Sequence, residues 1–500
     1  MSTSPLRLIK LQHPYFLILL PVFFVLHGCS ENFNFISAKD VFTLIGTYLI
    51  MSLCIYLFSY LFFRNLTRAA LIATFWMAVF FFFGALHDFL KDNSPLRFFS
   101  RYSFLLPALF LFLIWLFIFL KKTPKRLYRF SVFLNVLLAL YIGIDSVNIV
   151  WKAFQSDKKS LSVYHSDNTE KFARCDTCTK PDIYFLLFDE YSSSVSLKRR
   201  YDFHNPLDSF LESKGFSVQS NSMSNYNFTV ASMAAILNMK YLTIIKDIKA
   251  MTADDYGNCD LLIRNNSVIR FLDAQGYQIL NFSIFNLAGH PTRVEQTILP
   301  LQTRLITERT LFARLNKDVG WMLRVRFKKL GMKYFFKSLE NDQLFQSLVI
   351  KEAKKKQKQP RFIYAHLNMP HAPYFFDKNG NAKDEQLVIE EYKSNPAPSY
   401  FEYLTYTNTQ IKEIINTILT NNPSAVIVML GDHGYRKPGI NGSYQHLFEN
   451  LNAIYFPDQN YSLLYDSISG VNQFRMVFNK VFHQSFPKLK DTSIVLWDKE

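Results

Sequence analysis

Cysteine is scarce in this sequence: five in 500 residues, too few and too scattered to frame a disulfide scaffold. Only Cys175 and Cys178 stand close, as C-x-x-C, and no second pair exists to complete four zinc ligands. In an oxidising compartment that pair therefore reads as a local disulfide. Acidic residues run short as well, 40 against 56 Lys and Arg, leaving a formal charge of +16. Such an excess invites nucleic acid, but no zinc finger, RNA-binding signature or compact basic helix accompanies it, so no nucleic-acid partner is expected. The basic run Lys354–Lys358 ends an amphipathic helix and reads as a solvated face, with contact to lipid phosphates as the alternative. There is no internal repeat.

What the chain has in abundance is Phe, Leu and Ile, massed before about residue 151. Five runs there, about 13–29, 41–63, 69–87, 103–120 and 130–151, are each long enough to cross a hydrocarbon core. They are apolar on every face, unlike a helix that packs a single stripe onto a soluble core. Basic residues orient them. Arg7 and Lys10 precede the first run, Arg64 and Arg68 separate the second from the third, and Lys121, Lys122, Lys125, Arg126 and Arg129 lie between the fourth and fifth. The other two loops are poorer, with Lys39 in one and Lys91, Arg97 and Arg101 in the other, beside Asp88 and Asp92. This bias places the N-terminus in the cytoplasm, and five crossings deliver everything beyond Trp151 to the outside face. Much of the positive charge then sits in cytoplasmic loops, where topology and anionic headgroups account for it. Leu26-His27-Gly28-Cys29 faintly resembles a lipoprotein cleavage box, although His is unusual there and four more spans follow. Few charges interrupt the spans, Asp145 being the main one, which leaves little for a transporter's path.

Residues 1–151 thus read as a membrane domain, the polar stretch 152–180 as a tether, and 181–500 as an extracytoplasmic α/β domain. Strand-like and helical runs alternate there, the pattern of a doubly wound sheet. Helices are expected at Pro206–Lys214, Val230–Met239 and Ser267–Ala274, through much of 302–358 with Trp321, and at Tyr400–Leu419 and Val471–Phe482. Strands are expected at Ile183–Phe188, from Phe216, at Tyr277–Ile284, Phe362–Ala365, Val426–Leu430 and Leu451–Pro457, and last at Ser493–Trp497.

Three of those strands end on reactive side chains. Val426–Leu430 stops at Gly431-Asp432-His433-Gly434, where a carboxylate and an imidazole lie side by side. In open α/β sheets ligands gather beyond the carboxyl ends of strands, and this pair suits Zn²⁺ or Mn²⁺. A turn with a capping Asp and a solvated His is the plain alternative. Ile183–Phe188 ends on Asp189 and Glu190. Phe362–Ala365 is followed by His366 and His371, with Pro370 and Pro373 stiffening the loop; each His reads either as a satisfied structural residue or as part of a site. Thr229 heads the helix Val230–Met239, either as an ordinary N-cap or as a nucleophile helped by the helix N-terminus. Ser224 and Ser232 are the competing hydroxyls, and His446 follows a turn-rich loop.

This ordering of acid, hydroxyl, imidazole and Asp-His resembles the alkaline phosphatase and sulfatase superfamily. Within it, the chain looks like the membrane-anchored transferases represented by lipoteichoic acid synthase and the lipid A phosphoethanolamine transferases. The resemblance covers the whole chain in architecture, five membrane helices before an extracytoplasmic catalytic domain, and about Pro181–Pro457 in motif. It implies a doubly wound α/β domain of sulfatase/alkaline-phosphatase type. Asp189 then corresponds to the acidic metal ligand and Glu190 to a second acid. Asp432 and His433 correspond to the metal pair, and Thr229 to the nucleophile beside the metal. His371 and His446 look like the imidazoles that hold substrate phosphate or a second metal, either one donating or accepting a proton, with His366 a weaker candidate and Arg436 placed by proximity alone to steady an anion. Sulfatases proper build their nucleophile in Cys/Ser-x-Pro-x-Arg. No such box surrounds Cys175, Cys178 or Cys259, which favours phosphoryl over sulfuryl transfer.

The resemblance implies a bacterial inner-membrane enzyme using a divalent metal, zinc or manganese in preference to calcium or magnesium. Phosphoethanolamine or phosphoglycerol would pass from a phospholipid donor to an envelope glycan or lipid acceptor through a covalent Thr229 intermediate. Two alternatives use the same residues: a phosphatase, phosphodiesterase or sulfatase that resolves the intermediate with water, and a catalytically silent envelope protein that keeps the fold.

Overall fold

The computed structural model describes the chain except residues 1–12, 34, 35, 37, 124–126, 166–173, 246, 295–302, 319–327, 357, 437–443, 499 and 500. Arg7, Lys10, Lys125, Arg126, Trp321 and most of the loop before His446 lie outside the described residues. The chain divides into two compact units, one of residues 1–169 with 297–323 and one of residues 170–296 with 324–500.

Among its described residues the first unit holds five apolar helices: α1 Phe16–Glu31, α2 Ala38–Phe63, α3 Leu66–Asp92, α4 Tyr102–Lys122 and α5 Tyr128–His165. Large apolar side chains stand exposed along them, among them Phe42, Leu61, Leu111 and Val147, a pattern that suits lipid and not water. Among the described residues, α2, α3, α4 and the Tyr128–Phe154 part of α5 are long and apolar enough to cross a membrane, four helices where five spans are expected. The first expected span, α1, is a helix of only 16 residues. Asn65 starts α3 by accepting the backbone N–H of Arg68, which satisfies one of the free donors at that terminus. α5 runs on past Trp151, so the polar stretch after the last span begins as helix. Two short helices, Arg304–Thr307 and Leu311–Asp318, also belong to this unit.

The second unit is built on six strands: β1 Ile183–Phe188, β2 Ser217–Val218, β3 Gln278–Phe282, β4 Arg361–Leu367, β5 Val426–Gly431 and β6 Asn452–Tyr455, in the order β2-β6-β5-β1-β4-β3. β3, β4, β1 and β5 are mutually parallel. The sheet is nevertheless mixed, because β6 runs antiparallel to β5 and β2 antiparallel to β6. A short return suffices for such an edge, whereas a parallel β6 would need a full crossover. The last expected strand, Ser493–Trp497, is not one; Ile494 and Asp498 form single bridges to Tyr226 and Met251.

β1 is buried on both faces along its whole length, which is why it reads as an unbroken apolar run. Ile183, Phe185 and Leu187 face one layer, with α6 Thr229–Asn238 and α9 Gly470–Phe482. Tyr184, Leu186 and Phe188 face the other, with α7 Lys328–Ala353 and α8 Ala397–Asn421. Each such side chain contributes roughly 1.5–3 kcal/mol by leaving water, so the sheet is a rigid platform. Phe188 pairs with Leu367 on one side and Gly431 on the other, so three neighbouring parallel strands end at one edge.

Candidate active site

That edge carries the acids and imidazoles. Asp189 follows β1, Asp432 and His433 follow β5, and His366 sits near the end of β4 with His371 in the loop beyond it. Asp189, Asp432 and His433 are buried and offer ligand atoms within 4.8 Å of one another. His433 Nε2 lies 3.3 Å from Asp432 Oδ2 and 3.6 Å from Asp189 Oδ1. The other ring nitrogen, Nδ1, is 2.9 Å from the Gly434 carbonyl and donates to it, which leaves Nε2 as the acceptor nitrogen, beside the acids and met by Arg436 Nη2.

Charge follows from burial. Asp432 is pushed up to about 6, first by burial and then by the neighbouring Asp189. Burial raises Asp189 too, but His371, His366 and His433 outweigh it and hold this carboxyl well below the usual range. His433 is lowered to about 4 by burial and by the Arg436 guanidinium, so it is neutral at pH 7. Burial lowers His371, but Asp189 and Glu190 more than compensate and raise it overall.

The residues fit a divalent metal. Asp189 Oδ1, Asp432 Oδ2 and His366 Nε2 are buried without a hydrogen-bond partner among the described residues. Buried carboxylate oxygens left in that state are costly unless a cation faces them. Two carboxylates and a neutral imidazole are also the donor types that zinc and manganese accept.

Thr229 belongs to the same cluster. The N-cap of α6 is Phe228, with Thr229 as the first helical residue, so the capping role does not fall to Thr229. Its Oγ1 lies 3.4 Å from His433 Nε2 and accepts from Arg436 Nη2 at 3.5 Å. The competing hydroxyls are engaged elsewhere: Ser224 and Ser232 both donate to the Tyr226 carbonyl, at 2.9 Å and 2.8 Å.

Glu190 is placed differently from Asp189. It adopts a left-handed backbone, φ 60°, and its N–H donates to Asp432 Oδ1 at 2.9 Å. Its own carboxylate accepts the Arg436 N–H at 2.7 Å and stands 3.8 Å from His371 Nε2. Glu190 therefore lies outside the Asp189–Asp432–His433 group and bridges the loops bearing Arg436 and His371. His371 Nδ1 faces the Ala372 carbonyl, which turns Nε2 towards Glu190. His366 Nε2 lies 3.9 Å from Asp189 Oδ2. His446 is buried, with its carbonyl against Gly434.

Arg436 takes a larger place than its position in sequence announced. Its guanidinium reaches both His433 Nε2 and Thr229 Oγ1 and stacks 5.7 Å over the Phe228 ring. Asp342, on α7, gave no signal in sequence. It is buried behind the His371 loop, accepts the Asn368 N–H at 2.6 Å, and is pushed up to about 8 by burial. Cys175 and Cys178 are bonded to each other, as their spacing indicates.

A family model described as Sulfatase matches residues 215–474, a span that includes Thr229, His371, Asp432, His433 and His446. No curated protein matches the chain. Among solved structures, the chain is similar to the C-terminal periplasmic domain of EcEptC from Escherichia coli in complex with Zn, at 13% identity and a TM-score of 0.38, covering 63% of this chain and 85% of that one. It is also similar to lipooligosaccharide phosphoethanolamine transferase A from Neisseria meningitidis, an integral membrane protein, at 11% identity and a TM-score of 0.34, covering 96% of each chain. The putative sulfatase yidJ from Bacteroides fragilis is similar at 15% identity and a TM-score of 0.39, with 60% of this chain and 74% of that one covered. With the family model spanning just over half of its length, and the acids, imidazoles and hydroxyl drawn to one edge of its sheet, this chain belongs to the sulfatase family of enzymes.

Proposed function

We propose that the protein is a membrane-anchored, metal-dependent transferase that moves a phosphoryl headgroup, phosphoethanolamine or phosphoglycerol, from a phospholipid to an envelope glycan or lipid. The observation that carries this reading is the approach of the Thr229 hydroxyl to His433 within the cluster that also holds Asp189 and Asp432, with no capping role to occupy it. The missing Cys/Ser-x-Pro-x-Arg box supports phosphoryl over sulfuryl chemistry. Its seat is the bacterial inner membrane, with α1 as a fifth crossing, the N-terminus in the cytoplasm and the second unit on the periplasmic face.

Asp189, Asp432 and His433 would hold the cation, zinc or manganese. When bound, it supplies positive charge that acidifies a neighbouring hydroxyl and neutralises phosphoryl oxygens. The Thr229 oxygen, its proton already released to solvent, attacks the headgroup phosphorus in line, the new O–P bond forming as the bond to diacylglycerol breaks. Arg436, beside Thr229, offers its guanidinium N–H groups to the equatorial oxygens. His371, whose proton is held by Asp189 and Glu190, gives that proton to the departing diacylglycerol oxygen. In the second half-reaction it takes the proton of the acceptor hydroxyl, which attacks the phospho-threonine. His446 would contact the bound phosphate.

A hydrolase would share the first half-reaction and differ only in using water. Purified protein given a headgroup-labelled phospholipid and an acceptor should transfer label to the acceptor. Label appearing only as a free phosphate ester, whatever acceptor is present, overturns the transferase reading in favour of hydrolysis.

A further inference from the structure

The segment 303–318 lies in sequence between β3 and β4, deep in the catalytic half, yet it belongs to the apolar helical unit. Its seat there is specific. Ile306 is buried in the apolar cluster that also holds Phe24 and Val25 of α1 and Phe81 of α3. Gly28 on α1 leaves room for it, since a Cβ there would come 2.8 Å from Ile306 Cγ1. Gly84 on α3 meets the Arg309 carbonyl: its N–H donates to that oxygen at 2.7 Å, and a Cβ would sit 2.5 Å away. Arg314 pairs with Asp88 on the same helix. Thr310 Oγ1 donates to the Thr307 carbonyl at 2.6 Å and tightens the turn between the two short helices.

Small residues allowing close backbone approach, with one polar lock, are how elements hold together where surrounding lipid removes the hydrophobic advantage. Gly28 lies within a turn of the end of α1, and Asp88 within about a turn of the end of α3. The loop charges put both of those ends on the outer side. Phe312 is 69% exposed on the Leu311–Asp318 helix, while Leu311, Ala313 and Leu315 are half-buried, the form of a helix lying in the headgroup layer.

We propose that residues 303–318 form an interfacial anchor: a strap of the catalytic half seated on α1 and α3 that holds the two halves together independently of the 152–180 tether and presents Phe312 to outer-leaflet lipid. The inference does not depend on which reaction the enzyme performs.

Its test uses the full-length protein in lipid nanodiscs, with a specific protease site inserted between residues 166 and 173 and a purification tag on the N-terminus. After cleavage, the fragment carrying the C-terminus should remain with the tagged bundle. Gly84→Leu or Arg314→Asp should raise its release at least tenfold, and Asp88→Arg combined with Arg314→Asp should restore retention. A fluorophore on Phe312→Cys, with the free cysteines replaced by Ser, should be quenched by lipids labelled near the headgroup and little by an aqueous quencher. Release of the fragment from the unsubstituted protein, retention in both single variants, or a label quenched only from water would overturn the anchor.

Discussion

At the scale of single residues, the site is a contest among buried charges. Asp432 is pushed up to about 6 by burial and by Asp189, so a proton competes with any cation for it in the mildly acidic range. Raising the pH above 6 empties Asp432 of its proton, and metal affinity should then be flat. Lowering the pH below 6 should weaken affinity about tenfold per unit, since one proton must be displaced. Calorimetric zinc titrations at pH 5 and pH 7.5 test this, and equal affinities at both would contradict it. Asp432 and His433 were legible in sequence because an apolar strand ends abruptly on them. Arg436 was less so, because its reach back to Thr229 depends on the turn after Gly434. Asp342 left no trace, since an acid inside an amphipathic helix looks like a solvated one until the fold buries it.

At the scale of elements, the strands that position the site announced themselves by continuous apolar runs, and β1, β4 and β5 stand where those runs fall. The direction of β6 could not be read, because periodicity is the same in parallel and antiparallel strands. Nor could Ser493–Trp497, whose apolar alternation serves single bridges and packing instead of a ladder. The turn at Gly434, just after β5, is closely packed. A Cβ on Gly434 would lie 2.0 Å from the His446 carbonyl and 2.9 Å from that of Glu449, both backbone atoms. Gly434→Ala should therefore cost about 3 kcal/mol of stability and reduce metal affinity by displacing His433. Thermal unfolding and metal titration of the variant measure the two effects, and wild-type values for both would show that the loop yields freely.

At the scale of the whole molecule, composition separates an apolar first part from a soluble second part, and loop charge predicts which way the helices run. What composition cannot show is that residues 303–318 rejoin the first unit, since their amphipathic pattern also suits the surface of a soluble domain. The crossing number turns on α1, at 16 residues about 24 Å long. Small epitopes before residue 13 and after residue 490 should be reached from opposite faces of sealed membrane vesicles. Both reached from one face would mean that α1 does not cross. Orientation matters because the donor headgroup and the site must share a compartment for the reaction proposed. The most direct test of that reaction is the intact mass of protein taken from membranes or incubated with phospholipid, compared with Thr229→Ala. A headgroup-sized phosphoryl adduct is expected on Thr229, absent from the variant, together with loss of activity by about a thousandfold or more. A Thr229→Ala protein that keeps its activity, or an adduct on another residue, would contradict it.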